Sequence, residues 1–265
     1  MRGPCRGPWI SFHQPAGLHK SLSTPPAGHV IHLILMRIRL PLLLCLFSVS
    51  PSFGSQLVDN LRAGKDQTVV VYGTSLTAGG RWVTETKVWL DKINPQAKVT
   101  MVNSGQSGKN SIVGVAKLDA AVIAKKPDTV LIEFAVNDAF LFPEKERQVS
   151  LEQSGRNLET MIERIKKALP GTEIVLQTMN PAWDASNGRG SGSKRPELDA
   201  YYEGYRKVAA KHGLLLIDHH KNWVKLRTED KALFERYVSD GVHPTPEASS
   251  KVTFPQVKAS LDDKK

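Results

Sequence analysis

Short apolar runs alternate with longer amphipathic segments along most of the chain. Five runs rich in β-branched residues, each bounded by Gly, Pro, Asn or Asp, predict buried strands at residues 68–72, 99–102, 129–134, 173–178 and 214–217. Apolar positions at helical spacing predict helices at about residues 82–93, 111–125, 151–169 and 195–212. Right-handed crossovers between such strands place helices on both faces of a parallel sheet. We therefore predict an α/β fold, a three-layer α/β/α sandwich around a five-stranded parallel sheet.

The first 54 residues follow a different pattern. From Met36 the sequence reads MRIRLPLLLCLFSVSPSFGS, a basic start followed by an apolar stretch and then by small residues. This layout is typical of a secretory signal peptide. We predict a leader over residues 1–54, in which the signal peptide begins at about Met36 behind an upstream extension and is cleaved after Gly54. Residues 55–265 then form a single exported domain, located in the periplasm or outside the cell.

The composition indicates a globular chain. Hydrophobic residues make up 40% of the sequence and charged residues 23%, and no apolar run reaches the roughly 18 residues that suggest a membrane-spanning helix. The net charge is +10, but the leader holds five basic residues and no acidic ones, which leaves 31 basic and 26 acidic residues after it. A moderate surplus spread along the chain is an ordinary solvated surface. We predict no nucleic-acid partner, and no stable membrane span once the signal peptide is removed.

The cysteine and histidine content narrows the chemistry. Both cysteines, Cys5 and Cys45, lie in the leader, so the predicted mature chain has no disulfide, catalytic thiol or thiolate metal ligand. Four of the eight histidines follow the leader, and two of these, His219 and His220, are adjacent in sequence. A three-histidine zinc site would need almost all of them. We therefore expect neither a metal nor another cofactor.

Candidate chemical groups follow three of the predicted strands, and a further pair lies near the C-terminus. Ser75 lies in GTSLT after the first strand, Gly108 in NSGQSG after the second, and Asn137 in AVND after the third. Asp240 precedes His243 by three residues in DGVHPT. Taken singly, each motif also has a structural explanation, as a helix cap or a turn. Together they predict one site, because ligands bind at the carboxyl ends of the strands in such sheets.

With these motifs the sequence resembles the SGNH hydrolases, also called the GDSL family of esterases and lipases. The resemblance begins at about Thr68, covers most of the mature chain, and implies a flavodoxin-like sheet. It implies that Ser75 is the nucleophile and that Asp240 and His243 are its partners. GTSL stands where the family has GDSL, so Thr74 replaces the usual aspartate without changing the nucleophile.

The resemblance also implies an oxyanion hole. Its donors would be the backbone N–H groups of Ser75 and Gly108 and the side-chain amide of Asn137, with Gly105 as the alternative to Gly108. The block that carries Asn137 is usually Gly-x-Asn-Asp in the family, whereas this sequence has Ala135 in place of the glycine. That difference bears on the path of the backbone into Asn137.

The chemistry of these residue types supports ester hydrolysis. A serine hydroxyl is a poor nucleophile, so His243 must accept its proton as it attacks a carbonyl carbon. Asp240 can hold one ring nitrogen of this histidine and stabilise the imidazolium. An acyl-enzyme then forms, and water hydrolyses it with the histidine again as base. The sequence therefore predicts a carboxylic ester hydrolase.

The sequence specifies the substrate less closely than it specifies the type of reaction. The basic segment 184–196 follows the fourth strand and is expected either to border the site or to be a surface connection, and Trp82 and Trp183 lie near predicted site loops. There is no long apolar lid for a lipid chain, and the resemblance to exported family members of this size implies small acyl esters, above all acetyl esters of carbohydrates. Lysophospholipid or thioester hydrolysis is the first alternative. Acyl transfer to another sugar and a non-catalytic glycan-binding scaffold also remain open.

Overall fold

Five parallel strands form one sheet in the part of the chain that the computed structural model describes, residues 54–142, 148–187 and 189–263. They are β1 (Gln67–Gly73), β2 (Val99–Asn103), β3 (Thr129–Glu133), β4 (Glu173–Gln177) and β5 (Leu215–Ile217). The order in the sheet is β2-β1-β3-β4-β5, and every neighbouring pair is parallel. The predicted strands are confirmed to within one residue at each end, and the order is the flavodoxin-like one. The predicted leader lies outside the described residues, apart from Gly54.

Helices connect the strands and continue beyond the last of them. They are α1 (Gln56–Arg62), α2 (Ser75–Ala78), α3 (Arg81–Leu90), α4 (Ser111–Ala121), α5 (Ala135–Asp138), α6 (Leu151–Ala168), α7 (Leu198–His212), α8 (His219–Glu229), α9 (Lys231–Tyr237), α10 (Pro246–Ala248) and α11 (Phe254–Leu261). A 3₁₀ turn (Ile123–Lys125) follows α4, and a π-helical turn (Ser249–Thr253) joins α10 to α11. No described helix combines the length and the hydropathy needed to cross a membrane.

The sheet separates two apolar cores because successive side chains of a strand point to opposite faces. In β1, Val70 and Tyr72 contribute to one core, while Val69 and Val71 contribute to the other. The first core contains buried side chains of α4, α6 and α7, and the second contains those of α1, α3 and α11. The predicted three-layer sandwich is therefore confirmed.

The four predicted helices correspond to α3, α4 with its 3₁₀ turn, α6 and α7, with differences of up to three residues at their ends. The predicted helix at 82–93 is too long because α3 ends at Leu90, a few residues before Pro95. The predicted helix at 195–212 begins too early because Arg195 precedes Pro196, and a residue before proline disfavours helical backbone. Helix α7 begins instead at Leu198.

Candidate active site

Ser75 lies at the turn between β1 and α2. Thr74, in an extended conformation, caps α2, and its side-chain oxygen accepts a hydrogen bond of 3.2 Å from the backbone N–H of Leu76. Ser75 is the first residue of the helix and is half-buried. The turn therefore presents the Ser75 hydroxyl at the carboxyl end of a central strand, as the sequence predicts.

Three side chains from distant parts of the sequence form a hydrogen-bonded row at this position. The Ser75 Oγ lies 2.7 Å from the Nε2 of His243, and the Nδ1 of the same ring lies 2.6 Å from the Oδ2 of Asp240. An Asp that accepts a hydrogen bond from Nδ1 requires the proton to be on that nitrogen, which leaves the lone pair of Nε2 facing the serine hydroxyl. The two halves of the site, separated by 168 residues, are thus brought together.

The carboxylate of Asp240 also folds the loop that carries His243. Its Oδ1 accepts hydrogen bonds from the backbone N–H groups of Val242 at 2.9 Å and His243 at 2.7 Å, so the second oxygen is left for the ring. Partial burial raises the pKa of Asp240, but the hydrogen bonds from His243 and Val242 outweigh it and hold the pKa below its usual value. The aspartate is therefore ionised at neutral pH.

Trp183, Asn187 and Ser191 form hydrogen bonds to the backbone of the same loop. The side chains of Asn187 and Ser191 donate hydrogen bonds of 3.0 and 3.2 Å to the carbonyl oxygen of Asp240. The N–H of Trp183 donates a hydrogen bond of 2.9 Å to the carbonyl of Gly241. Part of the basic segment 184–196, for which the sequence left open either a place at the site or a surface connection, therefore contacts the backbone of the Asp240 loop.

The two candidate glycines after β2 differ in what their N–H groups bind. The N–H of Gly105 donates to Oδ1 of Asn103 at 2.9 Å and is therefore occupied. Gly108 is exposed, has φ +71°, and its N–H has no acceptor within the described part of the chain. A side chain would be strained in this left-handed conformation. Of the two, Gly108 offers the available donor.

Asn137 lies in α5 next to the Gly108 loop. Its Nδ2 donates a hydrogen bond of 2.9 Å to the carbonyl of Lys109, the residue after Gly108, and retains a second N–H. Ala135 begins α5, is buried, and does not have the positive φ that would demand glycine. The alanine is therefore compatible with a turn that delivers Asn137 to this loop.

A cavity of about 280 Å³ opens beside the nucleophile turn. It is lined by Ser75, Leu76, Gly79, Gly80, Trp82, Ser107, Met179, His243, Pro244, Ser249 and Thr253. Gly108 and Asn137 do not line it, but Gly108 follows the lining residue Ser107, and Asn137 binds the carbonyl of Lys109. Ser75 and His243 thus line the cavity, Asp240 binds His243, and the two remaining predicted residues lie in or against the segment that follows Ser107.

The cavity wall contains side chains that sequence reasoning missed. Ser249 and Thr253 belong to the π-helical turn, a form that no apolar periodicity marks. The Oγ of Ser249 accepts a hydrogen bond of 2.8 Å from the N–H of Trp82, whose indole Nε1 donates to the carbonyl of Leu76 at 3.0 Å. The indole is only 1% exposed, so it forms a fixed wall rather than a free stacking surface.

A flavodoxin-like sheet with a hydrogen-bonded serine, histidine and aspartate at its carboxyl end is typical of a hydrolase that uses a serine nucleophile. The chain belongs to the GDSL-like lipase/acylhydrolase family, whose family model matches residues 71–250. The resemblance to the SGNH hydrolases and the prediction of a carboxylic ester hydrolase are therefore confirmed.

Relatives with assigned activities fall into different ester-hydrolase groups. The chain is 26% identical over 189 residues to thioesterase 1/protease 1/lysophospholipase L1 of Escherichia coli strain K12, covering 71% of this chain and 80% of that protein. It is 29% identical over 189 residues to an arylesterase of Vibrio mimicus, covering 69% and 82% respectively. An acetylxylan esterase of Geobacillus stearothermophilus has a similar fold, with a TM-score of 0.62, 21% identity, and coverage of 80% of this chain and 97% of that one.

Proposed function

We propose that the protein is a serine esterase in which Ser75, His243 and Asp240 form the catalytic triad. The observation that carries this proposal is the unbroken row of hydrogen bonds, 2.7 Å and 2.6 Å long, from the serine hydroxyl through the histidine ring to the aspartate. In this row each side chain has the partner that its catalytic role requires.

The reaction follows from these contacts. As the Ser75 Oγ attacks the ester carbonyl carbon, its proton moves to Nε2 of His243, and ionised Asp240 stabilises the resulting imidazolium. The imidazolium then protonates the leaving alcohol, and an acyl-enzyme remains. Water attacks the acyl-enzyme with the histidine again as base, which releases the acid and restores the serine. The proposal requires no metal or other cofactor for these steps.

An oxyanion hole from Ser75, Gly108 and Asn137 completes the mechanism. Its support is that the N–H groups of Ser75 and Gly108 have no acceptor within the described residues, and that the Asn137 amide, bound to the carbonyl of Lys109, retains a second N–H. Negative charge develops on the carbonyl oxygen only during attack, so such donors act on the transition state. Each is typically worth about 3 kcal/mol of the barrier.

We expect Asn137→Ala to lower kcat about a hundredfold with a small change in KM, because the lost donor meets the oxygen most strongly when it is an anion. Steady-state hydrolysis of p-nitrophenyl acetate measures both constants. Ala135→Gly is the control, and its kcat should stay close to that of the parent because Ala135 already has an unstrained backbone. An Asn137→Ala enzyme with unaltered kcat would remove this residue from the proposed oxyanion hole.

For the substrate we propose small acyl esters, above all acetyl esters of carbohydrates. The cavity beside Ser75 is modest, and the buried Trp82 bounds it; its backbone N–H is bonded to Ser249 and its indole N–H to the carbonyl of Leu76. This wall favours a short acyl group over a long one. Acyl transfer to a second sugar would use the same residues. We further propose, from the predicted signal peptide, that the enzyme acts in the periplasm or outside the cell.

The acyl preference can be measured with p-nitrophenyl acetate, butyrate, octanoate and longer esters. We expect kcat/KM to be highest for acetate, and we expect Trp82→Leu to raise the octanoate-to-acetate ratio about tenfold by removing part of the wall. Trp82→Phe, which keeps most of the bulk, is the control, and thermal melting verifies that each variant is folded. A parent enzyme that prefers octanoate would instead support the lysophospholipase or thioesterase alternative.

A further inference from the structure

A buried carboxylate lies directly beneath the nucleophile turn. Glu133 is the last residue of β3, pairs with Gly73 in the sheet register, and is 1% exposed. Its Oε1 accepts hydrogen bonds from the backbone N–H of Thr74 at 2.6 Å and from the hydroxyl of Thr77 at 2.7 Å. The Thr74 hydroxyl lies 3.0 Å from the same oxygen and 3.2 Å from Oε2. One carboxylate thus binds the residues on both sides of Ser75.

The Glu133 carboxylate leaves no room for a side chain at Gly73, the residue before the turn. A Cβ atom at Gly73 would lie 2.2 Å from the Oε1 of Glu133 and 2.6 Å from the backbone carbonyl oxygen of the same residue. The glycine of the GTSL motif is therefore required by the close approach of Glu133 to the end of β1.

Burial of the Glu133 carboxylate costs free energy unless hydrogen-bond donors satisfy its oxygens. Among the described residues no cation forms an ion pair with Glu133, and its partners are the hydrogen-bond donors of the turn. Burial raises the pKa of Glu133 to about 7, although the hydrogen bonds from Thr77 and Thr74 lower it. Burying a charge or a polar group without such donors would destabilise the fold. The group is thus satisfied by the segment that carries the nucleophile.

Within the turn, the backbone N–H groups of Thr74 and Leu76 are hydrogen-bonded, whereas that of Ser75 is not. Glu133 accepts from the N–H of Thr74, and the Thr74 hydroxyl accepts from the N–H of Leu76. The N–H of Ser75 is left without an acceptor in the described part of the chain. The same contacts that fix the turn therefore leave only the nucleophile's own amide available to a substrate oxygen.

We propose that Glu133 and Thr74 are positioning residues for the nucleophile: Glu133 orients the Thr74 hydroxyl, and Thr74 holds the turn that sets the Ser75 Oγ and N–H. This inference rests on the proposed function, since it assigns these residues a role in the reaction at Ser75. Neither residue touches the substrate. Their effect is geometric, and a displacement of the reacting atoms by about 1 Å is enough to lower turnover about a hundredfold.

The test compares two substitutions of Thr74. Thr74→Val keeps the shape of the side chain but removes the hydroxyl, whereas Thr74→Ser keeps the hydroxyl. We expect Thr74→Val to lower kcat at least about tenfold with KM within about twofold, and Thr74→Ser to retain kcat within about threefold. Thr86→Val is the matched control because Thr86 is a buried threonine whose hydroxyl has no partner within the described residues, and its kcat should not change.

Glu133 is tested with Glu133→Gln, which can accept from Thr74 and Thr77 through its amide oxygen, and with Glu133→Leu, which cannot. We expect the glutamine variant to retain kcat within about fivefold and the leucine variant to lose at least about tenfold. Active sites are counted by titration with a fluorophosphonate that labels nucleophilic serines, and kcat is expressed per titrated site. A purely structural role would lower the melting temperature or the number of titrated sites while leaving kcat per site unchanged.

The outcomes separate this inference from the proposed function. If the parent enzyme hydrolyses acetate esters through Ser75 but Thr74→Val and Glu133→Leu keep the parent kcat per titrated site, the positioning role is wrong and the triad stands. If the parent enzyme shows no hydrolysis that depends on Ser75, both proposals are overturned.

Discussion

Ser75→Ala is expected to lower ester hydrolysis by at least about a thousandfold. The reason is that Ser75 Oγ is the hydroxyl hydrogen-bonded to His243 Nε2, at 2.7 Å, and alanine leaves that nitrogen without a nucleophile to activate. Because Ser75 is half-buried and the helix cap belongs to Thr74, the fold should be unaffected. Initial rates on p-nitrophenyl acetate and a thermal melt measure the two quantities.

The neighbouring hydroxyl in the cavity provides a control for this result. Ser107 lines the same cavity but is not the hydrogen-bond partner of His243, so Ser107→Ala should retain activity within about tenfold. A Ser75→Ala protein that keeps more than about a tenth of the parent activity would be incompatible with the mechanism. A parent protein inactive on every ester would favour the glycan-binding scaffold.

Asp240→Asn is expected to lower kcat about a thousandfold or more, with a smaller change in KM. An asparagine oxygen can still accept from the N–H groups of Val242 and His243, so the loop should keep its shape. Its amide group, however, would face Nδ1 and favour the tautomer with the proton on Nε2, which cannot accept a proton from Ser75. The loss therefore falls on the chemical step.

Asp184→Asn is the matched control for the aspartate substitution. Asp184 accepts a hydrogen bond of 2.8 Å from the N–H of Ser193 and does not belong to the row at the site. Steady-state kinetics should show a kcat close to that of the parent. Unchanged turnover in Asp240→Asn would show that the Asp240–His243 pair has only a structural role.

The strands and the main helices could be predicted because their patterns are local. The inner strands β1, β3 and β4 are buried almost throughout, so each appears in the sequence as a short and largely apolar run. Helix α6 has an amphipathic stripe over five turns and a clear start at Ser150, whose side chain caps it. Such signals are independent of where the rest of the chain lies.

Helix α8, the first helix after β5, could not be predicted from the same rule. Helix α8 buries His219 and His220 beside Trp223, so its inner face reads as polar in the sequence. Burial lowers the pKa of His219 to about 3, so its ring is neutral, and its Nε2 lies 3.2 Å from the side-chain oxygen of Gln177.

Helices α2 and α5 are single turns and are too short to show a period in the sequence.

The sequence by itself determined the family, the order of the layers and the residue types of the site, because motifs and periodicities are properties of neighbouring residues. Only the tertiary structure decided between Gly105 and Gly108 as the available donor, and showed that Glu133 lies beneath the nucleophile turn. It also formed the cavity, whose wall combines α3, the π-helical turn and the histidine loop. Ser75 and His243 are 168 positions apart in the sequence, and the distance between such residues depends on how the layers of the fold pack.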